Sequence, residues 1–345
     1  MENQKKRFKI GVDVSGGDLA PLEIIKGAVL AKKEVDQELI LIGDKSEIEK
    51  GIKKQKSRFT IIDAPERIGM AEAPVSAVRK KRKSSIVVGC QLLKQREIDA
   101  FVSCGNTGAV VCASALILRF IEGIERPGIA LLFPTQKGIS LLIDAGANID
   151  CKPIHLLQYG VMASVYYNTV LEKENPTVGL LNIGEEASKG LELLKNTHKL
   201  FGGSSLNFSG NIEAKSILSG NSDCIVCDGF VGNIALKVLE GSTEAMGKLF
   251  IEYMKKSLSG RLGLLLAKKN LKNLKKSIDY SEYGGAPLLG VDGVVIIGHG
   301  RSDAKAVKNA IGVAARELKR ELNERIKKKI NEICQDSRVR QILTA

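Results

Sequence analysis

The chain has 345 residues, of which 44% are hydrophobic and 26% are charged, with 35 Gly and only 8 Pro. This composition is typical of a globular protein with a substantial core, and it excludes a disordered or collagen-like chain. The 52 Lys and Arg outnumber the 39 Asp and Glu, and the formal net charge of +13 favours acidic partners such as nucleic acid, anionic lipid, phosphate compounds or an acidic protein.

The seven Cys are scattered without the spacing of a disulfide framework, which indicates reduced thiols and a cytoplasmic protein. Cys224 and Cys227 form a C-x-x-C, but strand periodicity places them on opposite faces, so we interpret them as buried strand residues. We expect neither a signal peptide nor a membrane span, because the N-terminal run lacks a long apolar core and no run of about 18 uncharged apolar residues occurs.

Short β-rich runs alternate with longer segments of helical periodicity along the chain. The predicted strands are FKIGVDV, ELILIG, FTIID, DAFVSC, LLIDAG, VGLLNIG, CIVCDG and GVVIIG. The predicted helices include PLEIIKGAVLAKKE, SSIVVGCQLLKQRE, TGAVVCASALILRF, PIHLLQYGVMASVYYNTVL and ASKGLELLKNTHKLF. This alternation predicts an α/β fold with a mainly parallel sheet and helices on both faces, because parallel neighbours need crossover connections.

Residues 1–335 are expected to form one unit of two lobes, with a central cleft near ERPGIALLFPTQKG. Within this unit, residues 250–279 read as an amphipathic helical hairpin at the surface, and Ser302 to Cys334 read as one or two amphipathic helices. Residues 336–345 are expected to form a C-terminal tail.

Polar, glycine-rich loops follow most of the predicted strands, which is where open α/β sheets bind their ligands. The first loop contains Gly16, Gly17 and Asp18, and its backbone N–H groups could hold an anion. A plain tight turn would also require the paired glycines.

Two further loops, Ser103–Gly108 and Asp228–Asn233, resemble one another, and each precedes a helix. Asn106, Thr107 and Asn233 offer donors for a ligand, although a helix N-cap is the commoner role of such residues. The loops at 144–148 and 182–186 are also polar and contain glycine. They add the candidate residues Asp144 and Asn148, and Lys189 shortly after the second loop. Asp228 of the earlier loop is a further candidate.

His299 lies in a near match to the dinucleotide fingerprint G-x-G-x-x-G. Asp303 stands where the fingerprint has its third glycine. Its carboxylate would face a pyrophosphate, and this argues against a nicotinamide cofactor. His299 could donate to an oxyanion or carry a proton, or it could simply cap the strand end. Lys237 could supply a positive charge for phosphate, or it could be an ordinary solvated lysine. His155 and His198 lie on helical segments and are interpreted as structural.

Several catalytic motifs are missing from the sequence: the G-x-S-x-G elbow, the Walker loop, H-E-x-x-H and paired zinc-binding Cys. We therefore expect no metal, no cofactor and no covalent serine mechanism. The remaining donors, amides and cations suit phosphate binding and the stabilisation of negative charge during acyl transfer.

Six motifs in order resemble the PlsX family of bacterial phosphate acyltransferases, over about residues 8 to 330: DVSGGDLAP, VSCGNTGA, IDAGANIDCKP, VGLLNIGEEASKG, CDGFVGNIALKVLEG and YGGAPLLGVDGVVIIGHG. The resemblance implies a three-layer α/β/α sandwich similar to isocitrate and isopropylmalate dehydrogenases and to phosphotransacetylase, in a homodimer. The family's first loop reads D-A-M-G-G-D-H-A-P, whereas Val14, Ser15 and Leu19 stand at three of its positions here.

The resemblance also implies a reaction, in which fatty acyl carrier protein and inorganic phosphate give acyl phosphate and free carrier. It implies peripheral association with the inner face of the cell membrane, and a downstream membrane acyltransferase that would consume the product. On this reading, Gly16, Gly17, Asn106 and Thr107 help to bind phosphate, and Asn233, Lys237 and His299 stabilise the oxyanion or the leaving sulfur. The acidic residues Asp13, Asp18, Asp144 and Asp228 orient donors.

Two basic regions have open interpretations. The run from Arg79 to Lys83 either docks the acidic carrier or forms a solvated helix end, and the leucines of the 250–279 hairpin contact either an anionic bilayer or a partner subunit. Two other functions compete: acyl transfer from coenzyme A to phosphate, and non-catalytic binding of nucleic acid or membrane. Nucleic acid is not expected as a partner, because there is no Trp and only 4% of residues are aromatic, so stacking platforms are scarce.

Overall fold

The computed structural model describes residues 7–55, 57–278 and 284–344. Its strands are β1 (Lys9–Asp13), β2 (Glu38–Gly43), β3 (Thr60–Asp63), β4 (Ala100–Ser103), β5 (Gly128–Thr135), β6 (Gly138–Ile143), β7 (Val178–Asn182), β8 (Phe208–Glu213), β9 (Cys224–Val226), β10 (Ala286–Leu289) and β11 (Val294–Ile297).

The α-helices are α1 (Leu22–Ala31), α2 (Lys45–Gln55), α3 (Pro74–Lys80), α4 (Ser85–Lys94), α5 (Thr107–Ile117), α6 (Pro153–Leu171), α7 (Glu192–Gly203), α8 (Gly229–Lys255), α9 (Leu258–Ile278), α10 (Ala304–Lys319), α11 (Leu322–Gln335) and α12 (Ser337–Thr344). A short 3-10 helix spans Ala214–Ser219.

The strands form one mixed sheet in the order β3-β2-β1-β4-β11-β10-β5-β6-β9-β7-β8. Strands β3, β2, β1, β4 and β11 are parallel to one another, and so are β6, β9, β7 and β8. Between the two groups, β10 and β5 pair antiparallel with their neighbours. The two groups therefore run in opposite directions, and their carboxyl ends do not share one edge of the sheet.

Helices cover both faces of the sheet, which confirms the predicted α/β class and its layered arrangement. Successive residues of β4 point to opposite faces: Phe101 packs in the core under α4 and α5, and Val102 packs in the core under α1 and α10. Cys224 and Cys227 follow the same rule, since they are buried in different apolar clusters on the two sides of β9.

The segment ERPGIALLFPTQKG differs from the expectation of a cleft between two lobes. Most of it forms β5, which pairs with β6 across a tight turn and with β10 on its other side, in the middle of the sheet. The uninterrupted run of buried residues from Gly128 to Phe133 supplies the physical reason, because a strand in mid-sheet with helices on both faces is buried on both sides. The division into two lobes stays a prediction.

The C-terminal region forms three helices. The stretch from Ser302 to Cys334 folds as α10 and α11, the second of the two predicted alternatives. The predicted tail contains α12, which packs against α7 and fully buries Val339.

The hairpin is longer than predicted, because α8 starts at Gly229 and α9 ends at Ile278. The first part of α8 packs Leu236 and Leu239 on the body, whereas every residue from Gly241 to Tyr253 is exposed. Residues 256 and 257 join the two helices. Among the described residues, no helix is both long and apolar enough to cross a membrane.

Candidate active site

The loops that follow β1, β4 and β11 touch one another. A Cβ added to Gly16 would lie 2.7 Å from the backbone nitrogen of Gly105, so only glycine allows this approach. The N–H group of Asp18 donates to the carbonyl of Gly300 at 2.7 Å. We call Asp13–Asp18, Ser103–Thr107 and Gly298–Asp303 the first loop cluster.

A buried carboxylate holds this cluster together. Asp13 accepts hydrogen bonds from the Ser103 hydroxyl at 2.6 Å and from the Ser15 N–H at 3.0 Å. Burial raises the pKa of Asp13, and hydrogen bonds from Ser103 and Ser85 oppose the shift. Asp13 is fully enclosed, so its role is to position the loops rather than to meet a ligand.

Asn106 is committed to internal hydrogen bonds. Its Oδ1 accepts from the Ala109 N–H at 3.0 Å as the N-cap of α5, and its Nδ2 donates to the carbonyls of Gly69, Met70 and Glu72. These bonds make Asn106 a positioning residue, and its direct contact with phosphate stays a prediction. Thr107 is exposed in the first turn of α5.

The loop after β3 also belongs to the first cluster, and the sequence reasoning missed it. Arg67 donates from Nη2 to the carbonyl of Gly17 at 2.7 Å. Lys81 in turn donates to the carbonyl of Arg67 at 2.7 Å and pairs with Glu72 at 2.6 Å. FTIID was predicted as a strand, so the rule that ligands lie beyond strand ends would have found this loop had it been applied there.

A second loop cluster consists of Asp144–Asn148 and Asp228–Asn233. The buried Asp144 carboxylate accepts from the N–H groups of Ile129, Gly146, Ala147 and Asn148 at 2.7–3.0 Å. Burial raises its pKa, and these backbone bonds oppose the shift. The carboxylate therefore shapes its own loop.

The two loops of the second cluster meet at the start of α8. The Gly229 N–H donates to the carbonyl of Asn148 at 2.8 Å, and Asp228 caps α8 by accepting from the Val231 N–H at 2.9 Å. The side chain of Asn148 donates to the hydroxyl of Tyr159 at 2.9 Å and to the Pro127 carbonyl. Asn148 and Asp228 thus support the loops.

Helix α8 connects the two clusters. Asn233, Lys237 and Glu240 are spaced i, i+4 and i+7, so they share one helix face. Asn233 lies beside Gly146, because a Cβ added there would be 3.4 Å from the Cβ of Asn233. Lys237 pairs with Glu240 at 2.9 Å, and both charges act on His299 of the first cluster.

His299 carries a defined proton arrangement. Its Nδ1 accepts from the N–H of Arg301 at 3.1 Å. Partial burial of the ring is the main cause that lowers the pKa below the ordinary 6.5, and the positive charges of Lys237 and Arg301 lower it further against Glu240 and Asp18. The ring is therefore neutral at pH 7, with its proton on Nε2.

Among the described residues, Lys189 has no hydrogen bond or ion pair to either loop cluster. It belongs to the loop after β7, where its carbonyl accepts from Asn182 Nδ2 at 3.1 Å and its N–H donates to the Glu186 carbonyl. These contacts stay within its own loop, and its substrate-binding role stays a prediction.

The remaining two histidines are held inside the fold. His155 accepts from the Lys152 N–H at the start of α6, and His198 contacts Asn211 and the Phe208 ring. These contacts give both residues structural partners.

Comparison with solved structures shows the same fold. A phosphotransacetylase from Streptococcus pyogenes matches with a TM-score of 0.61 and 19% identity, covering 91% of this chain and 95% of that one. A 4-hydroxythreonine-4-phosphate dehydrogenase from Klebsiella pneumoniae matches with a TM-score of 0.52 and 12% identity, covering 93% and 99%.

Comparison with curated proteins identifies closer relatives. A phosphate acyltransferase of Alkaliphilus oremlandii is 45% identical over 332 residues, which cover 95% of this chain and 99% of the relative. A phosphate acyltransferase of Dictyoglomus turgidum is 48% identical, with 94% and 98% covered. The model of the family described as "Fatty acid synthesis protein" matches residues 8–325. The chain therefore belongs to this fatty acid synthesis protein family, together with the phosphate acyltransferases.

Proposed function

We propose that the protein transfers a fatty acyl group from the thioester of an acyl carrier protein to inorganic phosphate, giving acyl phosphate and free carrier. Relatives named phosphate acyltransferase support the reaction over nearly the whole chain. The observation that carries the proposal is the meeting of the β1, β4 and β11 loops beside the face of α8 that carries Asn233 and Lys237. An oxyanion and an attacking phosphate both need such a concentration of donors.

Phosphate binds at the N-terminus of α5 in this proposal. The first N–H groups of a helix lack intrahelical partners, and the helix dipole favours an anion there. The first turn of α5 carries no acidic residue, and the Thr107 hydroxyl is exposed beside it. The loop of Gly16 and Gly17 forms the opposite wall.

The acyl carbonyl lies toward α8 and His299. A phosphate oxygen attacks the thioester carbon, and the tetrahedral oxyanion accepts from Nε2–H of His299 and from the amide of Asn233. Lys237 stabilises the negative charge electrostatically. The C–S bond then breaks, and the thiolate takes up the proton that the phosphate releases. Alignment of phosphate and thioester supplies much of the acceleration, and no covalent intermediate with the enzyme is needed.

Hydroxylamine trapping tests this function. The full-length protein is incubated with an acyl carrier protein thioester and phosphate, and the acyl phosphate is captured as its hydroxamate. We expect hydroxamate and free carrier thiol in equal amounts, both dependent on phosphate. Thiol release that ignores phosphate would contradict the proposal, and faster turnover with acyl coenzyme A would favour the competing donor.

The exposed half of α8 is proposed as a contact between two copies of the chain. Met246, Leu249, Phe250 and Tyr253 are large apolar residues that lie exposed there. Residues 241–255 contain two acidic and two basic side chains, so this half is neutral. An apolar, neutral surface fits a second protein subunit better than an anionic bilayer.

Helix α9 is proposed as the contact with the inner face of the cell membrane. It contains six basic residues and no acidic one, and Leu258, Leu262, Leu265 and Leu266 are exposed on it. A cationic amphipathic helix suits an anionic bilayer surface. The product has a fatty chain, so release at this surface would hand it to a membrane acyltransferase.

A further inference from the structure

We propose that four exposed cations beside the first loop cluster form the docking surface for the acidic carrier protein. They are Arg79, Lys80, Arg82 and Lys83, and we call them the basic surface. They lie at the end of α3 and in the turn that leads to α4. This inference rests on the proposed function, because it names the place where that substrate is received.

The basic surface lacks the counter-charges that accompany several lysines elsewhere in the protein. Within the described part of the chain, no carboxylate pairs with the side chain of any of its four members. In contrast, Lys327 of α11 pairs with Glu122 at 3.0 Å, and Lys248 of α8 pairs with Glu244 at 2.6 Å. Unpaired cations give a local positive potential that steers an acidic partner.

Lys81, in the middle of the run, ties the basic surface to the site. Its ammonium group points inward, to the Arg67 carbonyl at 2.7 Å and the Glu72 carboxylate at 2.6 Å. Arg67 continues the chain of contacts to Gly17 at 2.7 Å. The basic surface therefore begins one residue contact away from the first loop cluster.

This placement fits a carrier that presents its acyl group on a flexible arm. Such a carrier docks its folded part outside the site while the thioester enters the site. Charges at the rim of an interface mainly set the association rate and its salt dependence. Val75, 52% exposed, stands one helical turn before Arg79 and adds an apolar contact to the same face.

An anionic bilayer is the other acidic surface to consider. Bilayer association needs apolar insertion in addition to charge. On α3, Val75 is the one large apolar side chain described as exposed, whereas α9 exposes four leucines. The basic surface is thus better suited to an acidic protein.

Charge reversal tests the docking surface in the full-length protein. The variant R82E/K83E is compared with K199E/K328E, a control with the same change in net charge on exposed lysines of α7 and α11. Binding of fluorescently labelled holo-carrier protein is followed by anisotropy. We expect Kd to rise about tenfold for R82E/K83E and less than about twofold for the control. The neutral variant R82Q/K83Q should lose carrier affinity by an intermediate amount. Added salt should reduce the differences in Kd among the proteins.

Three results would overturn the inference. In the first, R82E/K83E binds the carrier as tightly as the control does; in the second, both variants lose carrier affinity equally. In the third, R82E/K83E loses binding to anionic phosphatidylglycerol vesicles while its carrier binding stays intact. Near-ultraviolet circular dichroism and the unchanged Tm of R82Q/K83Q separate docking from misfolding. The proposed function is judged separately by acyl phosphate formation in the wild type. If the wild type forms acyl phosphate but R82E/K83E binds the carrier normally, the docking surface is refuted and the proposed function is not.

Discussion

The residues with the most hydrogen bonds at the site are supports rather than reactive groups. Asp13 and Asp144 are completely buried, and each accepts hydrogen bonds both from its own loop and from a neighbouring strand. Asn106 likewise binds three carbonyls and one N–H. His299, Asn233 and Thr107 are exposed, and the proposed mechanism assigns the substrate contacts to them and to the first turn of α5.

His299→Ala is expected to lower kcat by about 100-fold, which is typical of the loss of one oxyanion donor. Its pKa is lowered, so the neutral, donating ring is present at pH 7 and is lost only as the pH falls below the folded pKa, which lies under 6.5. Protonation would also break the bond from the Arg301 N–H to Nδ1.

A pH profile of the acyl transfer rate checks this prediction. Phosphate itself takes up a proton in the same range, so the profile of His299→Ala is the control that isolates the histidine. On the acid side of the profile, we expect the rate of the wild type to fall more steeply than that of His299→Ala, by one additional ionisation. Profiles of identical shape would show that His299 does not titrate in catalysis.

At the scale of elements, α8 serves two purposes along its length. Its first three turns carry Asn233 and Lys237 between the two loop clusters, and its remaining turns extend from the body with α9. Because one continuous helix spans both parts, the proposed subunit contact is joined to the site by a rigid connection.

Leu265→Glu with Leu266→Glu is expected to reduce sedimentation with anionic liposomes by at least about fivefold, because two exposed apolar anchors, 68% and 77% exposed, are lost. Met246→Glu on α8 is the matched control, and it should alter the sedimentation-equilibrium mass rather than liposome binding. Unchanged liposome binding by the α9 variant would exclude α9 as the membrane contact.

At the scale of the whole molecule, two parallel strand groups of opposite direction are joined through β10 and β5. The helices packed on this sheet bury one carboxyl group without a complete set of partners. Glu317 of α10 is buried, and its Oε1 has no hydrogen-bond partner among the described residues. Burial raises its pKa from 4.5 to about 8.

Glu317 makes the folded protein less stable as pH rises. Between pH 4.5 and about 8 the folded state keeps a proton that the unfolded state has released, so the free energy of unfolding falls with pH. At pH 7 the resulting decrease in the free energy of unfolding is about 3 kcal/mol. Urea unfolding of Glu317→Gln at pH 5 and pH 8 should show a weaker pH dependence than wild type, and Glu324→Gln on exposed α11 should not. Equal pH dependence in all three proteins would contradict this account.

Much of the fold followed from local patterns. Runs such as DAFVSC and GVVIIG became β4 and β11, and the segments between them became helices, because burial on a sheet and on a helix imposes different periodicities. The opposite placement of Cys224 and Cys227 followed from the same rule. Antiparallel β5 in mid-sheet did not, since a buried run carries no sign of the direction of its neighbours.

For the site, the sequence by itself determined which loops hold polar and glycine residues, because strand ends and helix starts are local features. Only the tertiary structure decided which of those residues use their polar groups in internal hydrogen bonds, as Asn106 and Asp144 do. It also decided that Arg67 contacts the first loop cluster. It also divided the loops into two clusters and placed Lys237 of α8 where its charge acts on His299. Strand order and direction, which depend on contacts between distant parts of the chain, are the physical reason.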